Sequence, residues 1–133
     1  MRLLKIALAG MLLAALPALA HHSFAAEYDI NQPITLKGTL TKVEWTNPHG
    51  WIYIDVKGDD GKVTGWAIEF GSPNALLRRG LRKTDLPIGV QVTVKGYRAK
   101  SGLPTVNGSS VTLPDGRNLY TGSSNPEAAG AEK

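Results

Sequence analysis

From Ile34 onward the chain alternates apolar and polar positions in short runs, the period of half-buried strands. Ile34, Leu36 and Leu40 fall on one parity and Val43 and Trp45 on the other, so the first run changes phase between Gly38 and Lys42. A period-2 pattern that shifts by one residue predicts a long strand with a bulge or strong bend, able to serve two parts of a curled sheet. After the turn Asn47-Pro48-His49-Gly50, residues 51–56 place Ile52, Ile54 and Val56 on one face and Trp51, Tyr53 and Asp55 on the other, a second strand. Gly58-Asp59-Asp60-Gly61 is turn chemistry, and residues 63–70 resume the strand pattern with Trp66, Ile68 and Phe70 in register, which makes the first three strands a meander. The aspartates of that turn lack the spaced ligands and closing glutamate of a calcium loop, so they read as a hairpin turn.

Residues 72–80, Ser-Pro-Asn-Ala-Leu-Leu-Arg-Arg-Gly, carry a short helix: Ser72 as cap, Pro73 at the first helical position, arginines at the negative end and Gly80 at the exit. A fourth strand follows with Val90, Val92 and Val94 alternating, then a turn at Lys100-Ser101-Gly102 and a fifth strand over residues 105–113. Pro114-Asp115-Gly116 turns the chain again before a short return strand at residues 118–120. The order strand, strand, strand, helix, strand, strand predicts a mainly β domain, a five-stranded OB-like barrel with one short helix between strands 3 and 4; a split sandwich is the alternative.

The ends of the chain differ from this middle. Arg2 and Lys5 precede an apolar run over residues 6–20 that finishes Ala18-Leu19-Ala20, the order of a secretory signal peptide cleaved after Ala20. The run is shorter than the ~20 residues an isolated helix needs to cross a bilayer, so no membrane span is expected after cleavage. The domain organisation expected is therefore a leader at 1–20, an extended arm at 21–32, the barrel domain at 33–121 and a disordered tail at 122–133, where Gly, Ser, Pro, Ala and Glu replace core-forming residues.

Cleavage also changes the charge. The leader holds Arg2 and Lys5 and no acid, so 13 of the 15 basic residues remain against 11 acidic ones, and the near-neutral mature chain gives little support for a nucleic-acid partner. With no cysteine, disulfides, thiolate metal sites and a lipidated leader junction are excluded. The expected location is periplasmic or secreted.

The stretches His21-His22-Ser23-Phe24-Ala25-Ala26-Glu27-Tyr28-Asp29, Gly38-Thr39 with Val43-Glu44-Trp45-Thr46-Asn47-Pro48-His49, residues 71–80 and Val111-Thr112-Leu113-Pro114-Asp115-Gly116 together resemble a family of small exported bacterial proteins of unknown function. The resemblance covers nearly all of the mature chain. It implies export and a compact β-rich domain, and it carries no activity.

Three histidines are candidate metal ligands: His21 and His22 at the new terminus and His49 in the loop between strands 1 and 2. Cleavage gives His21 a free α-amine beside its imidazole, a terminus that resembles a histidine brace; amine and imidazole nitrogens suit Cu(II) in tetragonal geometry. Glu27 and Asp29 are further oxygen donors close by. The competing reading makes the histidine pair exposed polar residues and His49 part of an ordinary turn. Trp45, Asn47, Trp51 and Tyr53 flank the same loop and are candidates for stacking on a flat ligand, or for closing the core. Arg78, Arg79 and Arg82 are candidate anion contacts, or a solvated face.

No nucleophile elbow, cysteine nucleophile or phosphate loop is present, and Asp55 with Glu69, the one carboxylate pair on strand faces, reads as solvated; no catalytic residue is assigned. The expected function is a non-enzymatic exported binding module with copper as its candidate cofactor. The alternative is a metal-free interaction or envelope-stress module contacting a protein or an anionic envelope component.

Overall fold

The computed structural model describes residues 24–122. The expected leader, His21, His22 and all of the tail beyond residue 122 lie outside them. A single helical turn, α1 (Phe24–Glu27), leads into β1 (Tyr28–Glu44), followed by β2 (Trp51–Lys57), β3 (Val63–Glu69), α2 (Pro73–Arg78), a 3₁₀ turn at Lys83–Asp85, β4 (Gln91–Ala99), β5 (Thr105–Thr112) and β6 (Asn118–Tyr120).

The fold is mainly β. Six strands form one sheet in the order β3-β2-β1-β4-β5-β6, and a parallel pairing of β3 with β5 joins five of them into a ring. The return strand expected at residues 118–120 is β6, which extends the sheet beyond the ring. Strand β1 starts at Tyr28, inside the segment expected to be an arm: Tyr28 pairs with Ala99, and regular pairing with β4 resumes at Pro33 opposite Tyr97. The phase change in β1 is a bulge between Leu40 and Lys42 in its pairing with β2. One strand can therefore pair with β4 along its first part and β2 along its last.

The ring encloses the core. Leu36, Leu40, Ile52, Ile54, Ile68, Phe70, Val92, Val94, Val106 and Val111 are buried in one cluster, together with Leu76 of α2, Leu81 and Leu86. Helix α2 forms as its sequence demands: the Ser72 hydroxyl accepts from the Ala75 amide at 3.3 Å, Pro73 opens the helix, and Gly80 takes φ +91° after it. The aspartates of the β2–β3 turn are used locally, Asp60 accepting from the Lys62 amide at 3.0 Å, as in an ordinary hairpin. Among the described residues no helix is long and apolar enough to cross a membrane.

Candidate functional site

Partners in adjacent strands share a face of the sheet. Ile52, Ile68 and Val106 are partners in series on the inner face; their neighbours Trp51, Glu69, Asn107 and Tyr97 are therefore partners in series on the outer one. An outward glutamate on such a row would ordinarily be solvated, yet Glu69 is only 7% exposed. The N-terminal segment explains this. Phe24 and Tyr28, four residues apart, stack at 5.7 Å between ring centroids, and Phe24 meets Tyr97 edge-on at 5.6 Å, a second buried cluster laid over the outer row. The Lys100 side chain donates to the Ala25 carbonyl at 2.5 Å and its amide to the Glu27 carbonyl at 2.8 Å, tying the segment to the end of β4.

Under this cover the Tyr28 hydroxyl donates to Glu69 Oε2. Burial, reinforced by the hydrogen bond to Glu69 and its negative charge, pushes the Tyr28 phenol well above the usual tyrosine range, so it stays a neutral donor. The other carboxylate oxygen, Oε1, lies 2.7 Å from His49 Nδ1. The loop that carries His49 is pinned where β3 ends: the Gly50 amide donates to the Gly71 carbonyl at 2.9 Å, and the Phe70 amide donates to the Gly50 carbonyl at 2.8 Å. Asn47–Pro48 is a cis peptide in that loop, and the Thr46 hydroxyl donates to the His49 carbonyl at 3.4 Å.

The chemistry follows from the geometry. A carboxylate oxygen facing Nδ1 requires the proton on Nδ1, which leaves the Nε2 lone pair of a neutral ring as its basic, ligating atom. His49 keeps 39% of its side-chain surface exposed. A histidine whose second nitrogen is held by a buried carboxylate is oriented as metal-ligating imidazoles are.

The other candidate residues disperse. Trp45 is half-buried against the core, Asn47 is exposed in the turn, and Trp51 is half-buried on the outer row beside Glu69. Tyr53 donates to Glu44 at 3.2 Å and lies under the Lys42 ammonium, 5.1 Å from its ring centroid. Asp55 is exposed and pairs with Gly65, away from Glu69, so the two carboxylates do not form a pair. Arg79 is engaged internally: its guanidinium donates to the Gly122 carbonyl at 2.6 Å and sits 4.4 Å from the Tyr120 ring centroid. Arg78 and Arg82 are exposed. Among the described residues no three His, Cys, Asp or Glu side chains gather as a metal group. Tyr28 and the bridging role of Glu69 were not among the residues expected from sequence; the i, i+4 spacing of Phe24 and Tyr28 is the one local signal that this segment presents an apolar face.

A family model for a family of unknown function, DUF6152, matches residues 9–108. The chain belongs to this DUF6152 family. No curated protein matches it. The stretch matched to DUF6152 takes in Tyr28, His49 and Glu69.

Proposed function

We propose that the chain is an exported, non-enzymatic binding protein on an OB-like barrel that holds Cu(II) through its processed N-terminus and His49. The strand ring β1-β2-β3-β5-β4, with α2 between β3 and β4, has the connectivity of a five-stranded Greek-key OB barrel, which supports the finer fold reading. The observation that carries the metal reading is the shared carboxylate: Glu69 binds Tyr28 on one oxygen and His49 on the other, so the N-terminal segment and the candidate ligand meet at a single group.

Only His22 and Ser23 lie between His21 and Phe24, which keeps His21 within about 11 Å of the aromatic cluster that covers Glu69. The α-amine and Nδ1 of His21 and Nε2 of His49 are the ligand set, with His22 as a further donor; all are nitrogen atoms suited to Cu(II). Both methionines, Met1 and Met11, fall in the leader and there is no cysteine, so no sulfur donor competes in the processed chain.

The test is calorimetry and electron paramagnetic resonance of Cu(II) with protein starting at His21, beside the same chain carrying one extra residue before His21, and beside His49→Ala. Stoichiometric copper with nitrogen hyperfine structure, weakened in both variants, is expected. Equal affinity in all three proteins refutes the site.

A further inference from the structure

Beyond Tyr97, on the side away from the Phe24 cluster, the outer face of the sheet is built from hydroxyls. Thr35, Lys95, Ser110 and Tyr120 are partners in series across β1, β4, β5 and β6, and Lys37, Thr93, Thr112 and Asn118 form the adjacent row. The alternate row, Leu36, Val94, Val111 and Leu119, points into the core, which fixes the polar rows outward. A bulge between Lys95 and Gly96 breaks the register of β4 with β5 just before Tyr97.

An open cleft of about 800 Å³ lies here, within the size range of small-ligand sites, lined by Thr35, Lys95, Tyr97, Ser110, Asn118 and Tyr120 among others. Its lining contains one cation and no carboxylate. The floor offers short hydroxyl and amide groups that both donate and accept, with half-buried Tyr120 at its edge. A strip of nucleic acid would need several cations to follow its phosphates, and these rows hold two lysines.

We infer that this cleft binds a carboxylate-bearing saccharide, its ring hydroxyls exchanging hydrogen bonds with Thr35, Ser110 and Asn118 and its carboxylate at the Lys95 ammonium. The inference is independent of the copper site: it uses no histidine, and its test is run with a chelator present.

The experiment is a titration of isotopically labelled protein beginning at His21, followed by amide chemical shifts. The probes are a short oligogalacturonate, a cello-oligosaccharide of the same length, and inorganic phosphate. Expected are shifts at Thr35, Lys95 to Tyr97, Ser109, Ser110 and Asn118 to Tyr120 with the oligogalacturonate, and weaker binding in raised salt. Lys95→Ala, at an exposed position, lowers affinity on the order of fivefold without altering the fold. The proposal is overturned by no shifts at millimolar oligogalacturonate, by shifts outside the cleft, by equal binding of the neutral oligosaccharide, by phosphate alone reproducing the pattern, or by an unchanged affinity in Lys95→Ala.

Discussion

Replacing Tyr28 by Phe removes one oxygen and leaves the Phe24–Tyr28–Tyr97 packing in place. The lost hydroxyl is a donor to a buried carboxylate: Tyr28 is 4% exposed and Glu69 7%, so water has little access to replace it. A hydrogen bond to a charged group contributes about 1.5–3 kcal/mol. For a domain of this size each kcal/mol moves Tm by about 4–8 °C, so Tyr28→Phe lowers Tm by on the order of 10 °C. Tyr53→Phe is the matched control. It also deletes a tyrosine donor to a glutamate, but Glu44 keeps 36% of its side chain exposed and the bond is 3.2 Å, so solvent substitutes and the cost is under about 0.5 kcal/mol. Thermal unfolding followed by circular dichroism at neutral pH, on chains starting at His21, compares the two. The reasoning about a buried, shared carboxylate is refuted if both variants shift Tm equally, or if Tyr28→Phe stays within about 2 °C of the parent.

The same hydroxyl predicts an alkaline limit. Its folded pKa lies above the unfolded value of about 10, so its contribution is complete below that pH and is lost as pH rises beyond it, by up to ~1.4 kcal/mol per pH unit; urea midpoints through this range fall more steeply in the parent than in Tyr28→Phe, and equal slopes contradict the assignment. Glu69→Gln removes the charge that holds Nδ1–H of His49, and weakens Cu(II) binding to the processed chain by about 10–100-fold in calorimetry; an unchanged affinity separates the carboxylate from the metal. Gly96→Ala drives a Cβ into the Asn107 carbonyl and the Val106 side chain, an overpacking of the β4–β5 contact that costs about 1–3 kcal/mol in denaturant unfolding. Arg79→Ala loses both the Tyr120 ring contact and the bond to the Gly122 carbonyl, for a loss of about 1–2 kcal/mol, and an unaltered midpoint shows that the guanidinium does not hold the end of the sheet.

Strand patterns were legible wherever one face is buried. Ile52, Ile54, Ile68, Phe70, Val92 and Val94 alternate as the core requires, and the phase change between Gly38 and Lys42 marked the bulge. Ser72, Pro73 and Gly80 located α2 because its start and stop are set by local backbone chemistry. The start of β1 was not legible, because residues 29–32 are polar or exposed and their pairing with β4 is irregular before Pro33. His49 stood out as a residue type, but its partner did not. Glu69 lies on the outward parity, where a glutamate belongs in water; only the N-terminal segment, folded back over it from 41 residues away, makes it a buried bridge. No local window contains that information. The internal partners of Arg79 were hidden for a similar reason, since Tyr120 and Gly122 reach it from the other end of the chain.

Strand β1 runs unbroken from Tyr28 to Glu44, with the His49 loop directly after it. The two groups that grip Glu69 thus flank one strand, Tyr28 at its head and His49 in the loop past its end, so the path of β1 contributes to their separation. Lengthening a hairpin elsewhere leaves that gauge untouched, whereas inserting or deleting one residue within β1 shifts one grip against the other and reverses which side chains face inward. The strand is a measuring element as much as a wall of the core, and the tolerance of this fold to insertions should be lowest along it.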